Sequence, residues 1–171
     1  MVAKNTEIIW GIVIKTVKSG ESDLRVTMLC KDEIRTLTAT GALKKDAKLK
    51  AATQIFTVAE FTTIGHKITG AHIHNTNNTI SKDIKRYYLA CAICEVILQC
   101  RGAGFELTIQ ALDTLSSSIV STRQIYAEYF IALLQELGYD IEPDQDINTA
   151  FAQHLDIKIP NTKMYLQPPN V

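Results

Sequence analysis

The chain lacks net charge: eighteen Lys and Arg balance eighteen Asp and Glu over 171 residues. Taken as a whole, that balance predicts neither a nucleic-acid nor a membrane partner. It also lacks any apolar run near the ~20 residues that span a bilayer. The apolar segment inside MVAKNTEIIWGIVIKTV is too short, and too soon interrupted by charge, for the core of a signal peptide. Cys30, Cys91, Cys94 and Cys100 show no secreted-scaffold spacing, which predicts a cytosolic chain with reduced thiols. There is no glycine-rich phosphate loop, no G-x-S-x-G elbow and no H-E-x-x-H helix. The acids are scattered, with no pair spaced as a general acid and base, so the expectation is a protein that is not an enzyme.

What is present points to a folded chain with two unlike halves. Hydrophobic residues make up 46%, enough for a real core, and the length fits one medium domain or two small ones. Residues 1–80 hold eleven Lys and Arg against seven acids, whereas residues 81–171 hold seven against eleven. A basic half joined to an acidic half predicts two surfaces with different partners.

The pattern also changes in the middle. EIIWGIVIKTV, LRVTMLC, IRTLTAT, QIFTVAEFTTI and ITGAHIHNT read as five short strands, separated by turn chemistry such as SGESD and Gly65-His66-Lys67. LRVTMLC alternates, with Leu24, Val26, Met28 and Cys30 on one face. Five such strands predict a small sandwich or a closed barrel. After NTNNTIS the period becomes helical. Ser81 is the expected N-cap of KDIKRYYLACAICEVILQC, and Phe105, Ile109, Leu112 and Leu115 stripe a second helix. Ser121 with Gln124 makes a capping box for a third, which Gly138 stops. A short helix is expected over Ile147–Leu155, then an irregular, proline-punctuated tail. The expected organisation is an α+β chain with a β domain over 1–80 and an all-α domain over 81–171.

Three clusters could carry chemistry. Cys91 and Cys94 share a helix face at i and i+3, but structural zinc needs four ligands and no second pair exists, so they read as core cysteines. His66, His72 and His74 fall within nine residues without a carboxylate or thiol beside them, and read as exposed strand positions in preference to a metal site. The stretch GALKKDAKLKAATQIF sets Lys44, Lys45, Lys48 and Lys50 against Asp46 alone. Lys15, Lys18, Arg25, Lys31, Arg35 and Lys67 decorate the same β half. Cations along a track suit phosphates, and single-strand binders add aromatics on which bases stack. The candidates here, Trp10, Phe56 and Phe61, read as core.

In order and spacing, these segments resemble the bacterial recombination mediator family RecO. The resemblance runs from GIVIKTVKSGESDLRVTMLCKDE, through the small-residue, glycine and lysine passage TATGALKK, into ATQIFTVAEFTT. It continues in the tyrosine-bearing KRYYLACAICEVILQC and in YAEYFIALLQELGY, covering roughly residues 8–143. Two departures stand out. EPDQDINTAFAQHL has no cysteine where many family members carry a four-cysteine zinc module, so zinc is not carried over; and the family's closing helical segment is expected to be shortened or absent. Gln54-Ile55 replaces the family's Gln-Pro.

The resemblance implies an N-terminal five-stranded oligonucleotide-binding (OB) barrel followed by a helical domain, in a protein of the bacterial cytoplasm and nucleoid. It implies binding of single- and double-stranded DNA, strand annealing, and action with RecR to load RecA onto strands coated by single-stranded DNA-binding protein. No cofactor is expected. DNA contacts are expected at Lys44, Lys45, Lys48 and Lys50, supported by Lys15, Arg25, Arg35 and Lys67. Lys85, Arg86, Arg101 and Arg123 are the candidates for contact with the coating protein's acidic tail, or else solvated helix charges. The competing readings are a protein-interaction adaptor that does not touch DNA, and a metal-assisted enzyme using His66, His72 and His74.

Overall fold

The computed structural model describes residues 5–31, 33–117, 120–141 and 146–155; the irregular tail expected from Ile157 lies outside the described residues. The chain divides into two compact units, Met1–Asn78 and Thr79–Val171.

The first unit is a five-stranded sheet: β1 (Thr6–Ser19), β2 (Asp23–Cys30), β3 (Ile34–Ala39), β4 (Val58–Ile64) and β5 (Lys67–Asn75). It closes on itself in the order β1-β2-β3-β5-β4. β1 is long because it serves two neighbours. Thr6–Ile12 pairs antiparallel with β4, and Gly11–Ser19 with β2. Between Val13 and Lys15 the register shifts, an irregularity of the kind that bends a strand and increases its twist. Gly11 lies where the two pairings overlap, opposite both Cys30 and Ala59. A Cβ there would lie 3.2 Å from Met28 Sδ and 3.3 Å from the Leu29 carbonyl oxygen, so the site has little room for a side chain. Closure on the far side is slender: Thr38 and Lys67 pair in parallel, and the Thr38 N–H donates to the His66 carbonyl at 2.8 Å.

The alternation read from β2 holds. Leu24, Val26, Met28 and Cys30 point inward and join Ile9, Val13, Leu37, Ala39, Phe61 and Ile68 in one buried cluster. β4 begins at Val58, later than its sequence pattern suggests. Phe56 has φ 71°, in the left-handed region, and no strand runs through that conformation. Its N–H donates to the Val13 carbonyl at 2.8 Å, and its own carbonyl accepts from Asn77 Nδ2 at 3.1 Å, which holds the unusual backbone in place.

Among the described residues the second unit holds four helices: α1 (Ile84–Gln99), α2 (Phe105–Ser117), α3 (Thr122–Glu136) and α4 (Ile147–Leu155). The cap of α1 is Asp83, not Ser81, which lies in a 3-10 turn over Asn78–Lys82. The Asp83 carboxylate accepts from the N–H groups of Lys85 and Arg86 at 2.8 and 3.1 Å, and a negative acceptor suits a helix N-terminus. At α3 half of the capping box forms. Ser121 Oγ accepts from the Gln124 N–H, while the Gln124 amide turns to Glu128 at 2.7 Å. Ile125, Tyr126, Tyr129, Phe130, Leu133 and Leu134 are buried along α3, as its stripe predicts, and Phe130 meets Phe151 of α4 edge-on at 5.3 Å. Gly104, ahead of α2, has φ +76°, and a Cβ there would sit 2.8 Å from Leu133 Cδ1.

Candidate nucleic-acid interface

The lysine stretch is the connection from β3 to β4, and its local structure is a run of tight turns. Carbonyls of Gly41, Lys44 and Ala47 accept in succession from the N–H groups of Lys44, Ala47 and Lys50, at 3.1–3.2 Å. The small and apolar residues Ala42, Leu49 and Ala52 pack against the barrel cluster. The four lysines between and beside them are therefore all left on the outside, exposed. Two anchors fix where the stretch departs. The Gly41 N–H donates to Asp23 Oδ1 at 2.7 Å, and the Leu43 N–H to the Ser22 carbonyl at 2.9 Å. Gly41 has φ +69°, which a glycine takes at no steric cost.

Ser22 ends the β1–β2 turn and Asp23 opens β2, so that turn and the start of the lysine stretch lie together. The β4–β5 turn, Gly65-His66, joins them through the hydrogen bond from Thr38 to the His66 carbonyl. Three connections thus converge at one end of the sheet.

Strand register then aligns cations that are distant in sequence. Val17, Arg25 and Thr38 are directly opposite one another across β1, β2 and β3, and Thr38 is also opposite Lys67 on β5. Directly opposite residues share a sheet face. Their inward-pointing neighbours Leu24, Ala39 and Ile68 are buried, so Arg25 and Lys67 stand on the outer face, flanking Thr38. The next rung is Lys15, Thr27 and Thr36, with the two threonine hydroxyls 3.1 Å apart. Arg25 and Lys67 thus stand on the outer face near the end of the sheet where the three connections meet.

Arg35 does not share it. It lies opposite Met28, whose side chain is inside, and its guanidinium is taken up by acids. Nη1 donates to both Glu7 oxygens at 2.8 Å and Nε to Glu33 Oε1 at 2.6 Å. Hydrogen bonds to Glu7 and then Glu33 push its already high pKa further up. Two carboxylates around one guanidinium leave that spot without spare positive charge for a phosphate.

The expected partner-surface cations of the helical unit are not brought together. Lys85 lies in the first turn of α1 and Arg101 past its end; from Lys85 to Gln99 the helix runs about 21 Å. Arg123 lies in the first turn of α3. Lys85, Arg101 and Arg123 are exposed, but Arg86, expected on the surface, is buried. Its Nη1 donates to the Leu115 carbonyl, in the last turn of α2, at 2.7 Å and Nη2 to the Val120 carbonyl, just ahead of the α3 cap, at 3.2 Å; an arginine fork can bridge two such backbone acceptors at once.

The cysteines are free thiols, with Cys30 and Cys94 buried. Burial raises the pKa of Cys30 and of Cys100 to about 11, and pushes Cys94 further up. Such thiols are poor nucleophiles. Among the described residues, no three His, Cys, Asp or Glu side chains are grouped to hold a metal ion. His72 and His74 are exposed on β5, as expected.

Trp10 is where the sequence reading of the aromatics misses. Phe56 and Phe61 are core, but Trp10 is 42% exposed and stacks on His74, with ring centroids 4.3 Å apart. The signal was in the alternation of β1: with Ile9, Gly11 and Val13 inward, Trp10 between them must point out.

The comparison with protein families falls on the strands of the first unit. Residues 6–75, the whole span of the five strands, match the family described as Recombination protein O N terminal. The chain is also similar to a protein named DNA repair protein RecO from Acetivibrio thermocellus, 29% identical over 140 residues, covering 75% of this chain. This chain spans 56% of that relative's length. No described helix is long and apolar enough to cross a membrane.

Proposed function

We propose that the chain is a member of the RecO family with a role in DNA repair and recombination, as its match over residues 6–75 and its similarity to a DNA repair protein RecO support, and that it is a non-enzymatic mediator that binds DNA through its first unit. In this reading the closed sheet is an OB-fold, whose strand-2/strand-3 face and flanking loops are the usual site for oligonucleotides. The observation that carries the reading is the outer row Arg25–Thr38–Lys67, with Lys15 one rung away and Lys44, Lys45, Lys48 and Lys50 on the connection beside it. Positive charge on that face and at those loops suits a phosphate chain and carries no sequence preference.

The mechanism is electrostatic. Two DNA strands repel through their phosphates; cations of the barrel neutralise part of that charge, release counterions and let complementary strands meet. No residue performs covalent chemistry. The helical unit is the partner-binding half, with Lys85, Arg101 and Arg123 available to an acidic segment such as the tail of single-stranded DNA-binding protein, and with RecR and, indirectly, RecA as functional partners. Such a protein works in the bacterial cytoplasm, at the nucleoid.

Strand annealing tests this. The protein should accelerate pairing of two complementary oligonucleotides, both bare and coated with single-stranded DNA-binding protein. Absence of acceleration on both, together with no DNA binding at low salt, would leave the adaptor reading in its place.

A further inference from the structure

On the outer face of β1, β4 and β5 lies a group of side chains that the phosphate grip does not use. Trp10, Glu60 and His72 are directly opposite one another across the three strands. His74, at a register shift of β5, stacks under Trp10 at 4.3 Å and meets His72 edge-on at 5.1 Å. The rung beside it is Ile8, Thr62 and Gly70, where Ile8 is 70% exposed and Gly70 offers no side chain. Rungs on one face are about 7 Å apart. The result is a raised aromatic block bordered by a low, apolar step, open to solvent.

We propose that the Trp10–His74–His72 block is a stacking ledge for unpaired nucleobases, which gives the first unit a preference for single-stranded over duplex nucleic acid. The inference rests on the nucleic-acid reading above. Charge decides between base and phosphate as occupant. Glu60 Oε1 sits 4.0 Å from His74 Nε2, so the middle of the block carries a carboxylate that repels phosphate but accepts from a base's exocyclic amine. A phosphate partner lies further along one of the same strands: Lys67, exposed, is five residues from His72 on β5, about 17 Å. One strand of nucleic acid can therefore be held by its backbone at the cations and by its bases at the ledge, the combination that characterises single-strand binders. In a duplex the base faces are already stacked and cannot engage.

Trp10 is the chain's single tryptophan, so its emission reports directly on this face. The full chain is titrated with a homopyrimidine oligonucleotide, an all-abasic oligomer of equal length and a duplex, following emission and anisotropy together. Quenching by the base-bearing single strand alone is expected. Trp10→Ala should weaken that strand's binding by about 5- to 150-fold, the effect of losing one stacked base, and leave abasic binding unchanged. Trp10→Phe should retain most affinity; His74→Ala should reduce both quenching and base preference. Equal binding of abasic and base-bearing strands without an emission change would overturn the ledge while the cationic grip stood. An emission change with protein concentration alone would assign the face to a second copy of the chain and overturn it too. No binding of any oligomer at low salt would remove the ledge and the nucleic-acid reading together.

Discussion

Reversing two charges on the β3–β4 connection, Lys45→Glu with Lys48→Glu, tests the phosphate grip where the structure makes the cleanest forecast. Both side chains are exposed, and the turn backbone is held by Gly41, Lys44 and Ala47 carbonyls and by the packing of Ala42, Leu49 and Ala52. Stability should therefore change by no more than about 0.5 kcal/mol, as for surface positions generally. Each lost phosphate contact lowers the slope of log affinity against log salt by about 0.7 on a single strand and about 0.9 on a duplex. Two contacts give about 1.4 and about 1.8. Between roughly 50 and 200 mM salt, the single-strand affinity ratio of the native chain to the variant should then shrink about sevenfold. Fluorescence anisotropy with a labelled strand at four or so salt concentrations, and a thermal melt to verify folding, make the measurement. A folded double variant with unchanged affinity and unchanged slope would refute the assignment of these lysines.

Two further outcomes follow from the packing. Arg86→Ala leaves the Leu115 and Val120 carbonyls without their charged donor and should cost the helical unit about 3 kcal/mol in a denaturant titration followed by circular dichroism, with Arg86→Lys recovering only part because one ammonium cannot serve both ends; a loss under about 0.5 kcal/mol would contradict the buried tie. Alkaline pH should destabilise the fold: Cys30 and Cys100 ionise near 9.0 when unfolded but near 11 when folded, because burial disfavours the thiolate. The unfolded chain thus binds fewer protons between those values, and the stability these thiols contribute is complete below pH 9 and lost as pH rises through 11. Melting temperatures across that window should fall, and fall less in Cys30→Ala with Cys100→Ala; identical slopes in both proteins would count against it.

Much of the architecture is local and could be read from residue order. Alternation of period two in LRVTMLC and a wide apolar face in YLACAICEVIL are properties of neighbours, so strand and helix are legible without any tertiary knowledge. So is the end of α3, where Gly138 adopts φ +85° as a C′ residue does. Local signals were weaker at places where two residues compete for one job. Ser81 and Asp83 can both cap a helix, and which of them does so depends on whether the preceding backbone coils into a 3-10 turn. Arg86 looks like any cation on a polar helix start; only the approach of the Leu115 and Val120 carbonyls makes it interior.

By itself the sequence determined two halves of opposite charge, five strands before four helices, and a lysine run lying between the third and fourth strands. Alternation tells which residues share a face of one strand, but it is silent on which strand comes next. That is a matter of non-local pairing. Closure through Thr38 and Lys67 brings Arg25 into line with a lysine forty-two positions away, while tertiary structure also brings Glu7 to Arg35 and the β1–β4–β5 pairing sets Trp10 against His74. The basic stretch GALKKDAKLKAATQIF was therefore visible from the start. Its place beside the β1–β2 and β4–β5 turns, where its charges can act with others, was decided only when the sheet closed.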